Sequence, residues 1–321
     1  MDLVFVNGLV KSKEKYLIPE RVFLQAAETS TADDAYKLIT DYSFGGETGG
    51  TAADFETAIE REWTSYAEFI KKYSPNKRFS DGIFAKNDFH NAENAVRMKY
   101  AGASAAGFMS DGNIDRSVFL SYIGGEKADI PDYLSEPMKK AEELFENSEA
   151  TGIKVSVIFA RAYYAYMFKT VKYKAWRKFL TYEVDAKNLS VALRSADFNA
   201  AKEMFIGGGK ISEKVLKCVS GGEDDKALGY LRYTEYSELI KQGLDARADN
   251  RSLVEFELIA DDFAMKKLKE KRFESEGITP LLLYCNYKAN EIKNVRIVIS
   301  GKLGGADKEE IKRRLRECYA G

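Results

Sequence analysis

The segment Lys288–Leu303 (KANEIKNVRIVISGKL) decides the predicted fold, because two weaker copies of its pattern occur upstream. In each copy an Asn follows polar residues and precedes an apolar run that carries one Arg. Successive Asn residues stand 94 and 106 positions apart, and self-similarity at a fixed period is typical of repeated structural units. We therefore predict one unit used three times. The upstream copies are Phe89–Met98 and Val184–Arg194, and the marked residues are Asn94, Asn188 and Asn294 with Arg97, Arg194 and Arg296.

A second motif supports this triplication. Nine-residue segments that begin at Ile18, Ile114 and Ile211 share apolar residues at positions 0, +4, +5 and +8, the buried stripe of a short helix. Their starts are 96 and 97 residues apart, in phase with the Asn series. We predict three helical repeats over residues 1–110, 111–208 and 209–321. The residue after each Ile favours a helix start, and these residues are Pro19, Asp115 and Ser212.

The whole chain is predicted to be all-α. It contains only five prolines in 321 residues, and the long segments between them repeat apolar residues with a helical period. Val295–Ser300 is rich in β-branched residues, yet its copies have helical composition, so we predict a helix there too. The apolar stripes run through Thr51–Lys72, Asp132–Glu146, Lys154–Tyr182 and Val254–Arg272.

The C-terminal segment is predicted to form one more helix. Ile311, Leu315, Cys318 and Tyr319 would lie on a single face. Asp307 can cap the start of this helix.

Composition excludes some classes of protein. Forty-nine basic and fifty acidic residues give a net charge of −1, whereas a protein that binds nucleic acid by neutralising phosphates is clearly basic. Three cysteines without CxxC spacing fit reduced thiols in a cytosolic protein. The first residues contain no apolar signal region, and no apolar run is long enough to span a bilayer. We expect no nucleic-acid partner, no secretion and no direct bilayer insertion.

No catalytic, cofactor-binding or metal site is predicted. His90 is the single histidine, which argues against a His-rich metal site and a Ser-His-Asp triad. Gly207-Gly-Gly-Lys210 lacks phosphate-loop spacing, because Ile211 stands where Ser or Thr is needed. Asp261-Asp262 resembles half of an acidic metal-binding motif, but Met265 occupies the third acidic position. A helical chain without an active site favours a structural or binding role.

Four segments carry a resemblance to a known family, the C subunits of the bacterial and archaeal V-type (A-type) ATP synthases, to which the d subunit of the eukaryotic V-ATPase also belongs. The Val184–Arg194 segment is similar to its VDxxNLxxxLR helix, and Gly207–Ser212 is similar to a GGG-basic-aliphatic-Ser turn that follows. Glu291–Arg296 with Gly301-Lys302 resembles a terminal EIxNLRxIxxGK signature. Phe5–Ile18 looks like the family's opening helix, although Leu9 stands where a basic residue is frequent.

The resemblance implies three similar helical domains in a pseudo-threefold funnel. It also implies a non-catalytic rotor protein that couples the D and F subunits of the central stalk to the membrane proteolipid ring, on the cytoplasmic side of the membrane and without a cofactor. Arg97, Arg194 and Arg296 are then candidates for a partner interface or for bridges between domains, and ordinary interhelix ion pairs are the alternative. Two other functions stay open: a helical scaffold for a soluble partner, and a metal-dependent enzyme built on Asp261-Asp262.

Overall fold

The computed structural model describes residues 2–46, 50–103, 108, 112–248, 253–274 and 277–319. Throughout these residues the regular structure is helical and no strand is present, which confirms the all-α prediction. A 3-10 helix, Ala52–Asp54, precedes the fourth α-helix. In chain order the α-helices are α1 (Leu3–Glu14), α2 (Glu20–Glu28), α3 (Ala32–Thr40), α4 (Phe55–Tyr73), α5 (Lys77–Ala101), α6 (Arg116–Ile123), α7 (Asp132–Glu146), α8 (Gly152–Thr170), α9 (Lys174–Arg194), α10 (Phe198–Lys202), α11 (Glu213–Ser220), α12 (Asp224–Leu231), α13 (Ser237–Ala248), α14 (Leu253–Lys269), α15 (Thr279–Leu303) and α16 (Lys308–Arg314).

The chain divides into two compact units. The first combines Met1–Ser80 with Met265–Gly321, and the second is Asp81–Ala264. The division falls inside α5 and α14. The three-repeat division at residues 110 and 208 stays a prediction. Among the described helices, none is both long and apolar enough to cross a membrane.

Helix α15 is the centre of the first unit. It packs against α1, α2, α3 and α4, and α16 packs against both α2 and α15. Val295, Val298 and Ile299 are fully buried in this core together with Phe23 and Ile39. Burying one such side chain contributes about 1.5–3 kcal/mol, which outweighs the small helix penalty of a β-branched residue. The β-branched segment Val295–Ser300 is therefore helical, as predicted.

The second unit contains two groups of packed helices, which contact each other through α8 and α9. In one, α7 and α8 pack together and α5 contributes Phe89 and Val96 to a core that includes Phe119 and Phe159. In the other, α9 contacts α10, α11 and α13, while α12 bridges α11 and α13. The predicted apolar stripe Lys154–Tyr182 covers most of α8 and the first part of α9. Val171 takes an extended conformation after α8, and α9 begins at Lys174.

The three predicted helix starts are confirmed. Pro19, Asp115 and Ser212 are the N-cap residues of α2, α6 and α11. The Asp115 side chain accepts a hydrogen bond from the Ser117 N–H, which satisfies one of the donors that every helix start leaves free.

The C-terminal helix is shorter than predicted. Asp307 caps α16 as expected, but the helix ends at Arg314, and residues 315–319 are not helical. The cause is a long-range contact. The Asn294 side chain donates to the Arg316 carbonyl at 3.1 Å and accepts from the Arg316 N–H at 2.8 Å. These bonds replace those that a continuing helix would give Arg316. Cys318 therefore belongs to the core while lying in the non-helical segment 315–319.

Candidate functional site

A buried carboxylate on α5 holds the start of α6. Oδ1 of Asp88 accepts the backbone N–H groups of Asn113 at 2.7 Å and Ile114 at 3.0 Å. Its Oδ2 accepts the Asn113 side-chain amide at 2.7 Å and the Tyr133 hydroxyl at 3.3 Å. Burial raises the pKa of Asp88, and the hydrogen bonds that favour the charged form oppose this only in part.

The same arrangement recurs between α9 and α11. Oδ1 of Asp185 accepts the backbone N–H groups of Lys210 at 2.8 Å and Ile211 at 2.9 Å. Its Oδ2 accepts the Tyr236 hydroxyl. Burial again raises the pKa of the carboxyl, against the opposing effect of these hydrogen bonds. Asp185 therefore corresponds to Asp88, and Tyr236 corresponds to Tyr133.

A third carboxylate connects α15 with the start of α2. Oε2 of Glu291 accepts the Ile18 N–H at 2.7 Å. Here the second partner is a cation rather than a tyrosine: Nζ of Lys288 donates to Glu291 and, at 2.7 Å, to Glu62. Burial lowers the pKa of Lys288, but the charges of Glu291 and Glu62 outweigh that effect and raise it overall. Burial raises the pKa of Glu291.

These three contacts place the second sequence motif at equivalent points of the fold. In every case the acceptor stands on a long helix and the donor is the N–H of the Ile that begins the nine-residue motif. The third case joins the C-terminal α15 to the N-terminal α2, so both ends of the chain build one unit. The pairs are Asp88 with Ile114, Asp185 with Ile211 and Glu291 with Ile18.

The register of the Asn series differs from the predicted one. Asn188 and Asn294 stand three residues after their acids, and each exchanges two hydrogen bonds with a distant backbone segment. Asn91 is the residue three positions after Asp88, and it is buried. Asn94 instead lies one turn further on and contacts the His90 ring at 2.9 Å. A pattern that includes the acid, Asp or Glu followed three residues later by Asn, would have found this register.

Arg97 is held within the second unit. Its guanidinium donates to Glu93 at 2.7 Å, to the Gly152 carbonyl at 2.9 Å and to the Ser156 hydroxyl at 2.9 Å. The Arg97 side chain is 30% exposed. These contacts tie α5 to the first turns of α8.

Arg194 and Arg296 form more exposed ion pairs. Arg194 lies 2.7 Å from Glu257 of α14. Arg296 makes a two-point contact with Glu56 of α4, with Nε and Nη2 donating at 2.9 and 2.7 Å. The arginine side chains are 46% and 45% exposed. Each of the three predicted arginines forms an ion pair with its own carboxylate. When positions are counted from the acids Asp88, Asp185 and Glu291, Arg97 and Arg194 are equivalent. The third equivalent position is Ser300.

Asp261-Asp262 and the Gly207–Lys210 turn are two further candidates from the sequence. Asp261 and Asp262 are not part of a metal-ligand cluster, because the described residues contain no group of three His, Cys, Asp or Glu side chains that could hold an ion. The Gly207–Lys210 turn lies over Asp185. A Cβ on Gly209 would stand 2.3 Å from Oδ1 of Asp185, so glycine is needed for the close approach.

Sequence reasoning missed the charge group of Lys288, Glu62 and Glu291, in which Lys288 and Glu291 are buried and Glu62 is partly buried. Glu62 and Lys288 are 226 residues apart, and nothing local to either residue indicates the pairing. Lys288 is 5% exposed and Glu291 is 4% exposed. A buried cation between two carboxylates fixes helices in place and is costly to disrupt.

The chain matches known proteins along its length. Residues 6–314 match the family model described as ATP synthase (C/AC39) subunit. The C subunit of the V-type sodium ATPase of Enterococcus hirae is 24% identical, and the match covers 99% of each chain. The C subunit of the A-type ATP synthase of Methanocaldococcus jannaschii is 23% identical over 96% of this chain and 84% of its own. The corresponding V-type ATP synthase protein of Thermus thermophilus is 22% identical over 97% of each. The chain therefore belongs to the ATP synthase (C/AC39) subunit family, whose members are accessory structural proteins of the rotary complex rather than catalytic ones.

Proposed function

We propose that the chain is a rotor component that couples the shaft of the central stalk to the membrane proteolipid ring of a V-type ATPase or ATP synthase. Its partners are the D and F subunits of the central stalk on one side and the proteolipid ring on the other, on the cytoplasmic side of the membrane. The observation that carries this proposal is the family match over residues 6–314. The proposed pseudo-threefold funnel would receive the end of the shaft.

The packing supports a mechanical role. Torque passes through a protein without loss only if its helices do not slide past one another. At three equivalent places a buried carboxylate on a long helix binds the backbone of a short one, and each contact is reinforced by a Tyr or a Lys. Leaving such a buried donor without its acceptor costs about 1–3 kcal/mol, so sliding is opposed. This stiffness needs no reactive group.

The three arginines suit a partner surface. Arg97, Arg194 and Arg296 are 30–46% exposed and already bind acids of their own units. The exposed ion pairs of Arg194 and Arg296 contribute only about 0–1 kcal/mol each to stability, so an acidic partner can replace the internal one there at little cost. We therefore propose that these arginines contact the shaft or the neighbouring domain.

The test is size-exclusion chromatography of this chain with the purified D and F subunits of the same organism's central stalk. We expect co-elution as a stable complex with one copy of each protein. Stable interfaces bury roughly 1,200–2,000 Å², so binding should survive moderate salt. Separate elution at low and moderate salt, with every sample folded by circular dichroism, would contradict the proposal. Binding to a different soluble protein alone would favour the scaffold function instead.

A further inference from the structure

A basic cavity lies in the second unit, beside the end of α8 and the start of α9. Its volume is about 820 Å³. Five cationic side chains line it, and no carboxylate is among the lining residues. Phe168 and the backbone of Gly207 and Gly208 form part of its wall. The five cations are Arg161, Lys174, Arg177, Lys178 and Lys210.

Two of these cations are fixed by neutral partners. The Arg161 guanidinium donates to the carbonyls of Lys202, Glu203 and Phe205, and the Arg177 guanidinium donates to the carbonyls of Phe168 and Val171. Carbonyl oxygens orient a guanidinium but do not cancel its charge. These carbonyls stand at the ends of α8 and α10 and carry only partial negative charge, so both arginines keep most of their positive charge at a fixed position.

Nearby acids offset only part of the remaining charge. Lys178 pairs with Glu235 at 2.8 Å. Lys210 lies near the buried Asp185, whose oxygens already accept backbone N–H groups and the Tyr236 hydroxyl. Lys174 has no ion-pair partner in the described part of the chain. Only two of the five lining cations therefore have a carboxylate partner among the described residues, and the lining keeps an excess of positive charge.

The backbone around the cavity suits the same kind of ligand. The wall at Gly207 is open, since a Cβ there would meet no atom within 4 Å, so a ligand can approach the main chain closely. Helix α9 begins at Lys174 without a side-chain cap and without an acid in its first turn. A helix start carries partial positive charge, which adds to that of the side chains.

We propose that this cavity binds a polyphosphate anion, either the phosphate chain of a nucleoside di- or triphosphate or an inorganic polyphosphate. A single phosphate would fill little of a volume within the 300–1,000 Å³ range of small-molecule sites. Two or more linked phosphates can bind Arg161 and Arg177 together with the lysines, and the Phe168 ring gives a nucleoside an apolar surface. This binding would be independent of the proposed coupling role.

Isothermal titration calorimetry on the full chain, in low salt without divalent cations, tests the proposal with ADP and with tripolyphosphate. We expect both to bind wild type, and K174A/K210A to bind at least ~10-fold more weakly, since the variant lacks two cations that can donate charge-assisted hydrogen bonds to phosphate oxygens. The matched control is K127A/K139A, which removes two exposed lysines of the same unit that do not line the cavity. It should bind like wild type.

Comparable affinity for the two probes would show that the phosphate chain alone is recognised, and tighter binding of ADP would add the nucleoside to the site. Either result supports the proposal. No heat of binding with either probe up to millimolar concentration would overturn it. Equal weakening in K174A/K210A and K127A/K139A would also overturn it, because the attraction would then follow net charge and not this cavity.

Discussion

The carboxylate of Asp185 on α9 accepts the backbone N–H of Ile211 at 2.9 Å, immediately before α11 begins. A capping side chain normally comes from the residue at the helix start itself. Here the acceptor comes from another helix, 26 residues earlier in the chain. The contact therefore holds the residue that precedes the N-cap of one helix and joins that helix to another, and the same is true of Asp88 with Ile114 and of Glu291 with Ile18.

Removing this carboxylate should destabilise the protein strongly. In Asp185→Ala the N–H groups of Lys210 and Ile211 and the Tyr236 hydroxyl lose their acceptor. We expect the free energy of unfolding to fall by about 2–4 kcal/mol, measured by urea denaturation. Asp129→Ala, at an exposed carboxylate, should change it by less than about 0.5 kcal/mol. Equal effects of the two substitutions would show that the contact contributes nothing.

The pH dependence of stability should show that burial raises the pKa of Asp185. Burial raises the pKa of Asp185 above its ordinary value of 3.8, so the folded protein holds this proton more tightly than the unfolded chain does. The stabilising contribution is complete below that ordinary value and is lost as the pH rises through the folded pKa. Asp185→Asn cannot titrate. Its stability relative to wild type should therefore improve as the pH rises above about 4. A melting-temperature series that moves the opposite way would mean that the hydrogen bonds lower the pKa of the carboxyl in the folded state.

Glycine at position 209 should be required for steric reasons. A Cβ there would meet Oδ1 of Asp185 at 2.3 Å, and a Cβ on Gly112 would meet Oδ1 of Asp88 at 2.0 Å. Gly209→Ala must push Asp185 away from the backbone it binds, at a cost of about 1–3 kcal/mol. Gly207→Ala is the control, because its Cβ enters open space. Thermal melting should separate the two variants by several degrees, and equal melting temperatures would contradict the steric argument.

Local patterns in the sequence determined much of the fold. The helix starts at Pro19, Asp115 and Ser212 carry a signal in the local sequence, and they were predictable. The helix over Val295–Ser300 was predictable only because its copies have helical composition, since β propensity points the other way.

The features that could not be predicted depend on contacts between residues that are far apart in the chain. The end of α16 depends on Asn294, which binds Arg316 from 22 residues away. The wall of the basic cavity comes from three separate segments, and the Gly207–Lys210 turn became interpretable only beside Arg161 and Arg177. The role of Asp88, Asp185 and Glu291 was not predictable, because each acid binds a backbone N–H that lies at least 26 residues away in the chain.

Lys288 should be among the costliest cations to remove. It is buried between Glu62 and Glu291, and Lys288→Met leaves two carboxylates without their counter-ion. Breaking a buried ion pair costs about 3–5 kcal/mol, which urea denaturation can measure. Adding Glu62→Gln should recover part of the loss by removing one of those charges. Lys187→Met, at an exposed lysine of α9, should be nearly neutral. If Lys288→Met and Lys187→Met change the free energy of unfolding equally, the buried charges are not coupled.

Exchanging the two residues of the Arg296–Glu56 pair can separate an internal role from a role at a partner surface. The side chains are 45% and 51% exposed, so Arg296→Glu should lower the free energy of unfolding by no more than about 1 kcal/mol. Under the proposed function it should also weaken binding to the central-stalk proteins by roughly 10-fold, because a charge facing an acidic partner is reversed.

The exchange Glu56→Arg with Arg296→Glu restores the internal pair and should restore stability. Binding should stay weak, because position 296 still carries the wrong charge. Surface plasmon resonance on immobilised central-stalk proteins measures this, and full recovery of affinity in the exchanged protein would assign Arg296 to internal pairing alone.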